Sequence, residues 1–201
     1  MLSCCPVSWE GFGVAQVVFF QQGLTKWDVE GRLRGQLDVP LCPAGVSAVT
    51  AAARELAALG PEVVYHGPEQ PGRETAGLVA QQSGAAVREL AELAEVGLGL
   101  WQGLLKEEVK QRQPRVYRQW REEPARVAPP GGETLGQASE RVRRALAKVG
   151  RRHRRGIVVL VVAPMLGVVA RSLLGAGRLG ELWERSRVPA HWELYEVSAG
   201  D

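Results

Sequence analysis

The chain has 201 residues, of which 45% are hydrophobic and 23% are charged, and its formal net charge at pH 7 is +3. This composition is that of one folded domain, and disorder is not expected except at the ends. The longest apolar run, residues 157–170, contains Pro164 and is shorter than the roughly 18–20 apolar residues of a membrane-spanning helix.

The N-terminal segment and the cysteines bear on the cellular setting. Residues 1–15 have neither a basic start nor a sustained apolar run, so we expect no secretory signal there. We interpret them as an extension in front of a single domain, residues 16–201. Cys4, Cys5 and Cys42 suggest neither a disulfide framework nor a zinc site. We therefore expect a cytoplasmic protein without metal or cofactor, and the Ala, Gly and Arg excess is typical of a GC-rich bacterial genome.

The first half of the domain alternates between strand and helix patterns. Residues 16–20 are apolar and β-prone and predict the first strand. Apolar residues at helical spacing predict a helix over 43–59. Residues 61–68 predict a short buried strand, 72–84 a helix that ends at a glycine, and 85–90 another strand.

The second half contains an insertion-like region and then resumes the alternation. Residues 101–131 predict two short helices and a Pro/Gly-rich loop. Thr134 is a suitable N-cap for an amphipathic helix, and the continuous apolar run 157–163 suits a strand covered on both faces. A further helix is predicted up to about residue 174, and 191–197 predict a last strand at the sheet edge. Strands and helices in alternation predict a layered α/β domain.

Residues 17–41, VVFFQQGLTKWDVEGRLRGQLDVPL, resemble the opening of the histidine phosphatase superfamily, the phosphoglycerate-mutase-like enzymes. After a strand, that family reads Arg-His-Gly-Glu-Thr-x-Trp-Asn-x-x-Gly-Arg-x-Gln-Gly-x-x-Asp-x-Pro-Leu. The positions that fit this frame are Gly23, Thr25, Trp27, Gly31, Arg32, Gly35, Asp38, Pro40 and Leu41. The resemblance extends over about residues 16–175. It implies a three-layer α/β/α fold with a mostly parallel central sheet.

The resemblance also implies a site in which two histidines, two arginines and a glutamate surround one phosphoryl group. Such a cationic pocket matches the phosphoryl oxygens, with one histidine as the nucleophile. In this chain Gln21 and Gln22 stand at the first Arg-His pair, Pro71 at the second arginine and Pro164 at the second histidine. Only the acid, Glu95 in a Glu-x-x-x-Gly-x-Trp run, keeps its type. Because the nitrogen lone pair of a carboxamide is delocalised and the group has no titratable proton near neutral pH, glutamine cannot replace the histidine nucleophile, and the covalent route is lost.

The leading interpretation is therefore a degenerate member of the family, a pseudophosphatase that binds a small ligand or a protein partner and is not an enzyme. The altered cleft is expected to accept a neutral or weakly anionic ligand. The candidate ligand-binding residues are Gln21, Gln22, Thr25, Arg32, Arg34 and Arg73.

Two alternatives stay open. One is a phosphohydrolase or mutase-like enzyme that uses Glu95 with a water, or His66, and anchors phosphate through the arginines above. The other is a scaffold that binds an anionic partner through the basic helix 141–155. That segment is also explained as a solvated helix end, and nucleic acid is not expected because no aromatic residue interleaves its charges. The ligand, the partner and the oligomeric state, including a homodimer, are left open.

Overall fold

The computed structural model describes residues 16–176, 179 and 190–196. The N-terminal extension, Cys4 and Cys5 therefore lie outside the described residues. The strands, in chain order, are β1 (Gln16–Gln21), β2 (Val63–His66), β3 (Ala86–Glu89), β4 (Ile157–Val162) and β5 (Trp192–Glu196). The α-helices are α1 (Lys26–Glu30), α2 (Pro43–Ala57), α3 (Gln70–Ser83), α4 (Lys106–Arg112), α5 (Pro114–Glu122), α6 (Leu135–Arg152) and α7 (Pro164–Leu173).

The described strands form one sheet in the order β3-β2-β4-β1-β5. All neighbouring pairs are parallel except β1 with β5, which is antiparallel. The two central strands, β1 and β4, pair in register from Gln16 with Ile157 to Gln21 with Val162. Their apolar runs are buried on both faces, as the sequence predicts for strands covered by helices. In-register parallel pairing brings the carboxyl ends of both strands to the same edge of the sheet.

Helices cover both faces of the sheet, which confirms the predicted α/β fold with a mostly parallel sheet. On one face α2 and α3 pack over Val18, Phe20 and Val64. On the other face Phe19 and Leu160 join a larger core that includes residues of α6 and α7. None of the helices in the described part of the chain combines the length and the apolar character needed to cross a bilayer.

The insertion-like region forms a cap of two short helices, α4 and α5, as predicted. Trp120 of α5 packs edge-on against Trp101, with ring centroids 5.4 Å apart, and both side chains are fully buried. Replacing such a buried aromatic residue by alanine typically costs about 3–5 kcal/mol. The cap is thus anchored firmly beside the carboxyl edge of the sheet.

Several local predictions are also confirmed. Thr134 caps α6, because its Oγ1 accepts a hydrogen bond from Gln137 N at 3.1 Å. The last strand, β5, lies at the sheet edge. The helix predicted over 72–84 begins earlier, at Gln70. Pro71 lies in its first turn, where backbone N–H groups have no partner within the helix, so the N–H that proline lacks is not missed there.

Candidate functional site

The candidate site lies at the carboxyl edge of the sheet, where ligands bind in open α/β folds. Gln22 follows β1, and its backbone N donates to Val162 O, at the end of β4, over 2.9 Å. Pro164 begins α7 directly after β4. The two positions that the resemblance assigns to histidines are therefore neighbours across adjacent parallel strands.

The start of α3 joins the same edge. Gly23 N donates to Thr75 Oγ1 at 3.1 Å, which ties the loop after β1 to α3. A Cβ added at Gly72 would lie 3.7 Å from Gln22 Oε1, so the backbone beside Pro71 faces Gln22. Three separately recognised motifs thus converge, which supports their assignment to one site.

Glu95 is bound to the N-terminus of α7. Its Oε1 accepts from Val96 N at 2.8 Å and from Leu166 N at 2.9 Å, and its Oε2 accepts from Met165 N at 3.1 Å. Pro164, in the first turn, has no N–H, so the helix presents its next two donors to the carboxylate. An anion at a helix N-terminus is also favoured by the helix dipole.

Burial raises the pKa of the Glu95 carboxyl above its usual range, while Arg34 and the three backbone donors favour the ionised form. Burial also raises the pKa of Glu69, whose Oε1 accepts from Glu95 N at 3.0 Å. The Glu69 carboxyl group thus holds the backbone of Glu95 in place.

These two groups predict how stability depends on pH. A carboxyl group whose pKa is raised by folding binds its proton more tightly in the folded chain, so its contribution is present at low pH. This contribution is lost as pH rises from the ordinary value of 4.5 through the raised pKa. We expect Glu95→Gln with Glu69→Gln to flatten this decline in the free energy of unfolding, measured by urea titration across pH.

Glu55→Gln is the matched control, because Glu55 is exposed on α2. It should leave the pH slope as it is in the unmodified protein. A double variant that keeps the full slope would show that these two carboxyl groups do not carry the effect.

A small cleft, about 40 Å³ in volume, opens beside Glu95. Its lining combines charged side chains from the loop after α1 and from the cap with apolar ones from the core. The lining residues are Asp28, Gly31, Arg32, Leu33, Arg34, Gly35, Glu95, Leu98, Lys106, Pro164 and Met165. Among the described residues, no three His, Cys, Asp or Glu side chains are arranged to hold a metal ion.

The two arginines of this lining differ in how they are held. Arg32 donates through Nε to Glu30 at 2.8 Å and through Nη1 to Gly103 O at 3.0 Å. Arg34 is 4% exposed and donates through Nη1 to Gly35 O at 3.2 Å. Its Nε is buried and has no partner within the described ranges. Arg34 is therefore a buried cation with N–H groups still available.

Gln21 and Gln22 do not line the cleft. Gln21 Oε1 accepts from Arg171 Nη2 at 3.3 Å. Gln22 is 2% exposed, and its Nε2 has no partner in the part of the chain that is described.

Three other predicted residues are also outside the cleft. Thr25 caps α1, because its Oγ1 accepts from Asp28 N at 3.3 Å and donates to Asp28 Oδ2 at 2.7 Å. Arg73 is exposed on α3. His66 is buried, with Nδ1 2.6 Å from Gly67 O. Of the predicted residues, Arg32, Arg34 and Glu95 are therefore the ones that line the cleft.

Arg171 on α7 is a buried residue that the sequence patterns did not single out. Besides Gln21, its Nη1 contacts Gly167 O at 3.4 Å, and its Nε lies 3.5 Å from Glu193 Oε2 on β5. A Cβ at Gly167 would come within 3.2 Å of both Arg171 and Gln21, so the glycine leaves room for this contact. The sequence feature that could have indicated it is a single charged residue in the largely apolar helix α7.

Part of the basic segment 141–155 is paired with acids. Arg141 contacts Glu133 at 2.5 Å, and Lys148 lies 3.2 Å from Glu92. The idea that this segment binds an anionic partner stays a prediction.

Comparison with known proteins agrees with this architecture. The profile of the histidine phosphatase superfamily (branch 1) matches residues 18–199, and the chain belongs to that superfamily. It is 31% identical over 172 residues to phosphoserine phosphatase 1 of Hydrogenobacter thermophilus, covering 85% of this chain and 81% of the relative.

Solved structures are similar over nearly the whole chain. A mycobacterial glucosyl-3-phosphoglycerate phosphatase has 27% identity and a TM-score of 0.77, with 90% of this chain and 89% of that chain covered. Bacillus stearothermophilus YhfR has a TM-score of 0.83 at 24% identity, with 92% of each chain covered, and shows the fold alone.

Proposed function

We propose that this protein is a pseudophosphatase of the histidine phosphatase superfamily whose cleft binds a small ligand without transferring a phosphoryl group. The observation that carries the proposal is the placement of Gln22 and Pro164 side by side at the ends of β1 and β4. Neither side chain can accept a phosphoryl group or stabilise its transfer by charge, so the two-step covalent route has no nucleophile.

The environment of Glu95 supports the same proposal. Its carboxylate accepts three backbone N–H groups and holds α7 in place. A general acid has to reach the leaving oxygen of a substrate with a proton to give. A carboxylate engaged in this way is suited to a structural role at the floor of the cleft.

The alternative is a phosphohydrolase that activates a water without a phosphoenzyme. It is favoured by one observation, the presence of Arg32, Arg34 and Glu95 in a single cleft, and by the relatives, which are named phosphatases. His66 contributes nothing to that cleft, so a substitute histidine nucleophile is not part of this alternative.

A phosphoenzyme assay tests the proposal. We expect no acid-labile phosphohistidine after incubation with radiolabelled phosphoserine or 3-phosphoglycerate, and no release of phenol from phenyl phosphate. A superfamily phosphatase that retains the Arg-His pair, labelled in parallel, is the control. Stoichiometric labelling that disappears in His66→Ala, or phenol release that disappears in Glu95→Gln, would contradict the proposal.

A further inference from the structure

The charges that line the cleft are close to balanced. Arg32, Arg34 and Lys106 supply three positive charges, and Asp28 and Glu95 supply two negative ones. Arg32 is already paired with Glu30, so its charge is balanced within the protein. The buried Arg34 forms no ion pair within 4 Å among the described residues, and one negative charge on a ligand is enough to balance it. Because the lining is partly buried, such a pairing is weakly screened.

Arg34 is the residue of this lining whose unpaired N–H groups a ligand can satisfy. It is 4% exposed, and the hydrogen bond from its Nη1 to Gly35 O is the one that the described residues provide. A buried guanidinium with N–H groups left unpaired costs free energy, since each unmade hydrogen bond carries the desolvation penalty of its donor. With Nε enclosed by protein atoms, the Nη groups are the donors left to a ligand, and a carboxylate is the planar, two-oxygen acceptor that fits them.

Glu95 disfavours a phosphate group at the same place. The backbone N–H groups of Met165 and Leu166, which would be the natural anion donors at the start of α7, already bind the Glu95 carboxylate. An incoming phosphate dianion therefore finds these donors occupied and a like charge beside them.

The remaining wall of the cleft is apolar. Leu33, Leu98, Pro164 and Met165 line it and are themselves largely buried. Apolar surface of this kind is covered most favourably by the hydrocarbon part of a ligand.

We propose that the cleft binds a small organic monocarboxylate with an apolar body, with its carboxylate on Arg34 and its body on the apolar side of the cleft at Met165. This inference rests on the proposed function, because it assumes that the cleft holds a ligand without phosphoryl transfer. It selects against phosphomonoester dianions, the class expected for an active member of the superfamily.

Benzoate and phenyl phosphate are the probes, because they share a ring and differ in the charge of the head group. At pH 8 phenyl phosphate is a dianion, since the second pKa of a phosphomonoester is about 6. Calorimetry on the full chain is expected to give at least about tenfold tighter binding of benzoate. Weaker or equal binding of benzoate, or no binding of either probe, would overturn the proposal.

Two variants test the roles of the charges in opposite directions. Arg34→Gln should weaken benzoate binding by about tenfold or more, as expected for the loss of a charged hydrogen-bond donor. Glu95→Gln should strengthen phenyl phosphate binding by about tenfold. Arg73→Gln, at an exposed position of α3, is the matched control and should change neither affinity. If Arg34→Gln does not fold, Glu95→Gln is the test that remains, and a Glu95→Gln variant that gains no phenyl phosphate binding would overturn the proposal.

The same samples separate this inference from the proposed function. Phenol release together with benzoate binding would contradict the pseudophosphatase proposal and leave the carboxylate site standing. Neither phenol release nor benzoate binding would contradict the carboxylate site alone.

Discussion

Gln21→Arg, which restores the family residue at that position, is expected to destabilise the protein by about 3–5 kcal/mol. The reason is Arg171, whose Nη2 lies 3.3 Å from Gln21 Oε1 in a buried site. A second guanidinium there loses the acceptor that Gln21 supplies and places two like charges together away from water. Glu193 is the one acid within 4 Å of Arg171 among the described residues, and it cannot balance both.

Urea unfolding of Gln21→Arg and of Gln16→Arg measures the effect. Gln16 begins the same strand and is partly exposed, so its substitution should change stability by less than about 0.5 kcal/mol. Adding Arg171→Met to Gln21→Arg should recover at least half of the loss. A stable Gln21→Arg single variant would show that Arg171 is free to turn away from this position.

Restoring all four family residues is expected to create a phosphoenzyme only when Arg171 is neutralised as well. The variant combines Gln21→Arg, Gln22→His, Pro71→Arg and Pro164→His with Arg171→Met. The nucleophile, its partner and both arginines are then expected to surround one site, because the ends of β1 and β4 and the start of α3 are neighbours. We expect phosphate binding first, acid-labile labelling second, and slow turnover of a generic phosphomonoester.

Two comparisons make this test decisive. The same variant with Gln22 retained should not label, because it lacks the nucleophile. The same variant with Arg171 retained should be unstable and label poorly. Equal labelling with Arg171 present would contradict the role given to that residue, and side chains that point away from a common centre in a crystal structure would contradict the motif assignment. Correct placement without activity would implicate Leu24, where the family has glutamate.

The two prolines are expected to tolerate replacement. Each lies in the first turn of a helix, Pro71 in α3 and Pro164 in α7, where other residues are also accommodated. Replacing Pro164 adds an N–H donor beside the Glu95 carboxylate, which the helix N-terminus can use.

Much of the fold follows from local patterns. The runs VVFF and IVVLVV predict β1 and β4 as buried central strands, because a strand covered on both faces is apolar throughout. The spacing of apolar residues predicts α2, and Thr134 predicts the start of α6, because capping depends on residues three positions apart. The start of α3 is less well predicted. A proline at position 71 is compatible with a helix that begins at residue 72 and with one that begins at Gln70, as observed.

The sequence by itself determined the family frame, the alternation of strands and helices, and the identity of the residues at the histidine and arginine positions. Only the tertiary structure decided what surrounds those positions. It bound Glu95 to α7 some 70 residues away, brought Arg171 to Gln21 from 150 residues away, and used Thr25 as a cap. Periodicity reports which face of an element is buried, whereas these contacts depend on how distant segments pack. For that reason the charges missing from the motifs could be read from the sequence, and the buried arginine beside Gln21 could not.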